Sequence, residues 1–330
     1  MSVDSQTVSV IICAYTLDRW ADICDAVSSV VAQRLPVREI IIVVDHNPEL
    51  MFRLRAEFPR HCVVPNREAP GLSGARNTGV RKAQGSLLAF LDDDAVAAPD
   101  WVAGMLKHFA NPFVFGVTTR VIPLWQGRRP PWFPDEFLWV TGCTHNGLRA
   151  GPVRNLSGGS MCMSRDVFDR VGGFNCDLGR NQEKLPLGCE ETEICIRAAN
   201  AIPNAEFRYD PDVVTAHKVR GKRLTWRYFV MRCYAEGLSK AQIVEISGAA
   251  ARLSTERSYV VRTLRRGFLR GVADGCFRLD PHGFNRSFAI VVGLISTLAG
   301  YVVGTLCMAV CGRARPWSKR AGTHPGAQLR

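Results

Sequence analysis

Two short apolar runs near the N-terminus constrain the fold of this chain more than any other feature. Residues 8–15, VSVIICAY, and residues 39–45, EIIIVVD, are apolar and β-branched at successive positions rather than alternate ones. A strand that is apolar on both faces is buried on both faces, as in a parallel sheet covered by helices. Between the two runs, ADICDAVSSVVAQ spaces its apolar residues as a helix does, which completes a strand–helix–strand unit. MFRLRAEF then reads as a short helix and HCVVP as a third strand. GLSGARNTGVRKAQG reads as a glycine-rich entry into a helix, and SLLAFLDDD as a fourth strand ending in carboxylates. The alternation predicts the α/β class, with an open, doubly wound, mostly parallel sheet. Ligands of such sheets sit at the carboxyl ends of the strands, where Asp45 and the acidic run 92–94 fall.

Residues 110–155 hold six prolines and three tryptophans and predict a long irregular segment, a lid or an acceptor-binding loop. NLSGGSMCMSRDVFDRVGGF returns to strand then helix, LPLGCEETEICIRAANA to helix, and AEFRYDPDVVTAH to a last strand. Residues 224–285 read as basic, partly amphipathic helix. Residues 287–311 carry no charge, and as a helix these 25 residues would be about 37 Å long against a hydrocarbon core of about 30 Å. This predicts a membrane segment flanked by Arg286 and Arg313. Spanning would carry the basic tail (Arg313, Arg315, Lys319, Arg320, Arg330) across the bilayer, against the positive-inside tendency; a re-entrant hairpin near Gly300 would keep both ends inside. The expected division is a catalytic domain over 1–219, a basic helical region over 220–285, a membrane segment over 286–312 and a tail over 313–330.

Charge follows the same division. Residues 1–219 carry 23 Lys+Arg and 25 Asp+Glu, whereas residues 220–330 carry 19 and 5. A basic C-terminal third beside a neutral body points to a polyanion, nucleic acid or anionic lipid. An uncharged apolar run of 25 residues suits the lipid and argues against nucleic acid. A nicotinamide-dependent oxidoreductase would need a glycine fingerprint after the first strand, where this chain reads CAYTLDRW. The twelve cysteines include no CxxC pair, and the first residues lack a secretory signal pattern, which predicts buried thiols in a reducing cytoplasm.

Several residues suggest chemistry. Asp92, Asp93 and Asp94 are adjacent carboxylates that cannot all ionise cheaply without a cation, and their oxygens suit Mg²⁺ or Mn²⁺ bridged to a substrate phosphate; a solvated acidic turn is the plain alternative. Asp45 can accept a hydrogen bond from a base or ribose, or simply form the turn in DHNP. Gly71, Gly74 and Gly79 with Arg76 and Asn77 suggest backbone close to an anion, or a solvated turn. Glu190, Glu191 and Glu193 open a helix, where acids complement the dipole and where paired carboxylates can also leave one as a base. His217 follows a strand and is a metal or phosphate ligand or a structural histidine.

Together VSVIICAYTLDR, VVD, GLSGARNTG, AFLDDDAVAAPDW, SGGSMCMSRDVFDRVGGF, GCEETEICIR and AHKV, over about residues 7–218, resemble the family 2 glycosyltransferases of GT-A fold. The resemblance implies an inverting, metal-dependent transfer from a nucleotide sugar, a UDP-sugar, with Mg²⁺ or Mn²⁺. Ala14, Tyr15, Asp45, Arg76, Asp92 and Asp93 would bind the donor, and Asp94, Asp92 and His217 the metal. Gly158, Gly159, Trp125 and Trp139 would border the acceptor, with loop 125–139 closing over the sugar. Glu191 matches the second acid of the family's Glu-Asp pair, the catalytic base; Glu replaces Asp, so Glu190 stays a rival. Asp45 is followed by His46, Asn47 and Pro48 where the family often has further acids and Gly-Ser. RGKRLTWRYFVMRCYAEGLSKAQ also looks like prokaryotic enzymes that glycosylate polyprenyl-phosphate-linked sugars, glucuronosyltransferases among them. That implies a lipid-linked glycan acceptor at an anionic membrane, a catalytic domain on its cytoplasmic side, and no nucleic-acid partner.

Overall fold

The computed structural model describes residues 6–179, 186–247 and 254–311; the expected tail over 313–330 lies outside them. The opening strand β1 (Val8–Ala14) is followed by α1 (Trp20–Val31), β2 (Glu39–Val44), α2 (Pro48–Glu57), β3 (Cys62–Pro65), α3 (Leu72–Lys82) and β4 (Leu87–Asp92). β1, β2, β3 and β4 pair in parallel, with Ile11 opposite both Ile41 and Phe90. Alternate residues serve opposite cores. Val10, Ile12 and Ile42 pack with Ile23, Val27 and Val30 of α1, whereas Ile11, Ile41 and Phe90 pack with Ala75 and Val80 of α3. That is why these runs are apolar throughout.

β5 (Ala95–Ala97), α4 (Trp101–Leu106), β6 (Val114–Gln126), β7 (Gly151–Val153), β8 (Ser160–Ser164), α5 (Arg165–Val171), α6 (Glu190–Ala201) and β9 (Glu206–Arg220) complete the body. The sheet order is β3-β2-β1-β4-β8-β6-β9-β5, with β7 on β9. β8 runs antiparallel between β4 and β6, and β5 and β7 antiparallel to β9, so the sheet is mixed beyond its parallel half. The structure also overturns the irregular reading of 110–155. Residues 114–126 form a 13-residue strand parallel to β9. Its Pro123 lies past the stretch paired with β8, so β9 alone flanks the strand where the proline lacks a donor.

The C-terminal region is helical: α7 (Trp226–Ser247), α8 (Ser254–Ser258), a π-helical turn (Tyr259–Leu264), α9 (Arg265–Phe277) and α10 (Pro281–Cys311). It is not separate from the body. Phe133, Phe137 and Val140 share one core with Phe229, Leu264, Ala289 and Ile290. α9 and α10 form an antiparallel hairpin, Ser287 Oγ donating to the Phe268 carbonyl at 2.8 Å. α7 runs beside α10 so closely that a side chain at Gly300 would strike the Tyr234 carbonyl. α10 continues through Gly300 for 31 residues, about 46 Å, so of the two alternatives the chain does not form a hairpin there. Phe284, Phe288, Val291, Ile295, Leu298, Val302, Leu306 and Val310, three or four apart, form an exposed apolar stripe along it. Among the described residues α10 alone is long and apolar enough to cross a membrane.

Candidate active site

The site begins where β4 ends. Asp92 lies opposite Cys13, and its amide donates to the Gly159 carbonyl at 3.2 Å. The chain then turns into β5, whose Ala95 stands opposite His217 of β9. This register brings together residues far apart in sequence: His217 Nε2 lies 3.0 Å from Asp94 Oδ1. Arg19, on a turn whose Thr16 accepts from the Asp18 amide, pairs with Asp93 and stands 3.1 Å from Asp94; Arg223 is 3.5 Å from Asp94. Burial alone would lower the His217 pKa, but the charge and hydrogen bond of Asp94 outweigh it and hold it at about 9. Burial favours protonated Asp94, yet His217, Arg19 and Arg223 keep it ionised far below its ordinary range. Burial lifts Asp93 to about 7 against the pull of Arg19.

Asp92, Asp94 and His217 each offer a ligand atom, all within 4.8 Å of one another. Two carboxylates and an imidazole fit a hard divalent cation such as Mn²⁺ or Mg²⁺, once the imidazole gives up its proton.

Asp45, at the end of β2, is fully engaged. Its Oδ1 accepts from Asn66 Nδ2 at 2.7 Å and lies 2.9 Å from His46 Nδ1; its Oδ2 accepts from the Gly71 amide at 2.9 Å. Gly71 has φ of +127°, a conformation glycine favours, and it starts α3. Ala14 and half-exposed Tyr15 line the cavity beside it, with Arg19 over the Tyr15 ring.

Arg76 departs from expectation. Its guanidinium is buried and committed to protein, 3.0 Å from Glu190 Oε1, 2.8 Å from the Gly158 carbonyl and 3.8 Å from Asp92. It is a strut between the carboxylates in the wall of the cavity, where α3 places it. Gly158 and Gly159 accordingly lie against Arg76 and Asp92.

Glu190 and Glu191 open α6. Glu190 holds Arg76, while Glu191 Oε2 is buried without a partner. Burial, and then the neighbouring Glu190 charge, push Glu191 up to about 8. Of the two, Glu191 is the acid suited to take a proton near neutrality. Trp139 lines the cavity. Trp125 does not: at the far end of β6 it packs on Phe133 and Arg129, since extended strand carries it away from the cavity lining.

Ala14, Asp45, Asp92, Glu190, Glu191 and Trp139 line one cavity of about 1590 Å³ that continues past Trp139 to the π turn and to Leu294, Thr297, Leu298 and Tyr301 of α10, whereas Asp94 and His217 are buried outside its lining. Sequence reasoning missed Arg19, Arg223 and the α7 residues Arg232, Glu236 and Lys240. The last three sit four residues apart in WRYFVMRCYAEGLSKAQ, a legible signal of one charged helix face.

Residues 9–172 match the family described as Glycosyl transferase family 2. The chain is similar to a glucosyl-dolichyl phosphate glucuronosyltransferase of Haloferax volcanii, 34% identical over 71% of this chain and 76% of the relative. It is also similar to the succinoglycan biosynthesis protein ExoM of Rhizobium meliloti, 29% identical over 88% of this chain and 92% of that one. Among solved structures, a mannosyltransferase from Pyrobaculum calidifontis in complex with GDP-Man and Mn²⁺ superposes with a TM-score of 0.57 at 17% identity, covering 96% of this chain and 88% of that one. The mixed sheet with acids at its strand ends is thus a GT-A-like fold, and the chain belongs to glycosyl transferase family 2 and is a glycosyltransferase.

Proposed function

We propose that the enzyme transfers a sugar, with inversion, from a nucleotide sugar to a lipid-linked glycan acceptor at a membrane surface. The observation that carries this reading is Leu298: it belongs both to the exposed apolar stripe of α10 and to the wall of the cavity that holds Asp92 and Glu191. The cavity therefore opens onto the surface that would meet lipid. The relative acting on glucosyl-dolichyl phosphate supports the same acceptor class.

The donor nucleotide lies against Ala14, Tyr15 and Asp45, and UDP is our choice of nucleotide. Asp92, Asp94 and His217 would hold Mn²⁺ or Mg²⁺. Such an ion neutralises charge on the departing diphosphate. Glu191 takes the proton of the acceptor hydroxyl as that oxygen bonds the anomeric carbon and the bond to the diphosphate breaks. Arg76 pairs with Glu190 beside it, and the Glu190 charge helps hold Glu191 basic. Trp139 shields the reacting sugar from water. The catalytic body faces the cytoplasm, with the basic residues of 220–286 on anionic lipid, each contributing about 1 kcal/mol.

The test is calorimetric titration of UDP-sugars and GDP-sugars with Mn²⁺ and with chelator, followed by transfer to a prenyl-phosphate-linked sugar. Metal-dependent binding of one donor is expected. Donor affinity indifferent to the metal and to Asp94→Ala would sink the metal-held donor site.

A further inference from the structure

The polarity of the cavity wall is divided. Where residues 136–154 and 232–301 build it, eight basic side chains stand against three acidic ones among the described residues. At its centre is the charged face of α7. Arg232 Nη1 donates to Glu236 Oε2 at 2.9 Å, and Lys240 Nζ lies 3.5 Å from Glu236 and 3.0 Å from Glu256. Arg154 reaches Glu256 at 2.7 Å. Among the described residues, Glu236 and Glu256 thus each meet two cations. The Arg232 guanidinium also lies over the Trp139 ring, 5.5 Å from its centroid, yet its Nε is buried with no acceptor. Buried donors without partners are rare and call for an explanation, and here an excess positive charge goes with one.

The same face is fastened to the catalytic acids. The Gly188 amide donates to Ser239 Oγ at 3.2 Å, and the Cys189 thiol lies 3.8 Å from Glu236. Glu190 and Glu191 follow directly in the chain. Apolar Leu294 and Leu298 border the cavity on the α10 side.

We propose that Arg232, backed by Lys240, is the subsite for a phosphate group of the acceptor. A guanidinium presents a planar fork of donors that matches phosphate oxygens, and an apolar opening beside it suits a phosphate carried on a hydrocarbon chain. The inference rests on the lipid-linked acceptor proposed above and names how its head group is held.

The experiment is calorimetry on the full chain in detergent, with UDP and Mn²⁺ saturating the donor end. The probes are geranylgeranyl phosphate, geranylgeraniol and inorganic phosphate. Geranylgeranyl phosphate should bind, and Arg232→Gln should weaken it about tenfold or more, as loss of a charge-assisted hydrogen bond does. Arg232→Lys should keep part of the affinity, and geranylgeraniol should bind weakly and equally to every variant. The double variant Arg232→Gln with Glu236→Gln keeps the net charge of the wild-type cluster and should bind as poorly as Arg232→Gln while still taking up UDP and Mn²⁺. Inorganic phosphate bound as tightly as the prenyl phosphate, and lost in Arg232→Gln, would keep the phosphate site and assign it to free phosphate. Equal affinity of the wild type and Arg232→Gln for geranylgeranyl phosphate overturns the subsite, as does geranylgeraniol binding as tightly as its phosphate. A wild type that takes up neither UDP nor GDP with Mn²⁺ instead brings down the proposed function.

Discussion

The two ends of the cavity are built by different means. At the donor end, charges are placed by strands. Asp92 and Asp94 follow β4, His217 is set opposite Ala95 by the β5–β9 register, and Asp45 is tied to Asn66 and Gly71. Sheet hydrogen bonds repeat at fixed spacing, so each group is held by its own ladder. At the α7–α10 end, the polar wall is a helix face fastened by a few side-chain contacts, and the helices approach through glycines at 237, 293, 300 and 304. Its apolar stripe is left largely exposed, with Phe288 touching Trp226 and Phe284 lying against Gly275. The donor end is closed by its own pairing, whereas the helical end leaves an exposed apolar stripe that the proposed membrane surface would cover.

The largest expected effect tests the boundary between the ends. Glu191→Gln should cut transfer by about 10²–10⁴, the usual share of general-base catalysis, with donor affinity kept. An active Glu191→Gln beside an inactive Glu190→Gln would move the base by one residue. Next comes the strut. Arg76→Met leaves Glu190 buried and unpaired and should cost about 3–5 kcal/mol in urea unfolding. A loss below about 1 kcal/mol would mean that the donor end does not depend on its internal pairing.

For the helical end, Gly300→Leu should cost about 1–3 kcal/mol by forcing α7 and α10 apart. Ile295→Ala on the exposed stripe should leave stability within about 0.5 kcal/mol while weakening salt-resistant vesicle binding. Equal effects of the two on unfolding would erase the distinction between the packed and lipid-facing sides of α10. The smallest effect is on pH dependence. Glu191 holds its proton up to about 8, so the basic form grows as pH rises from 6 to 9, and transfer at pH 7 should be roughly tenfold below its plateau. Because this folded pKa is raised above the ordinary 4.5, the stability that proton provides is lost as pH climbs from 4.5 through about 8. A flat profile below pH 8 would remove Glu191 as the titrating base.

Much of the donor end was legible in the amino-acid order. Strands apolar on both faces must be covered by helices on both sides, and acids at their carboxyl ends must line a cleft; Asp45 and Asp92 followed from that. The acidic start of α6 and the uncharged run of α10 were equally visible, since periodicity and charge are local properties. The tertiary structure decided what local pattern could not express. It turned the proline-bearing segment 114–126 into a strand, because β9 supplied a partner in register. It paired Arg76 with Glu190, brought His217 against Asp94, sent Trp125 away from the cavity, and laid the charged face of α7 beside the start of α6. Each of these pairs residues far apart in the chain, and only sheet register and helix packing, which form when the whole core closes, determine which distant groups meet.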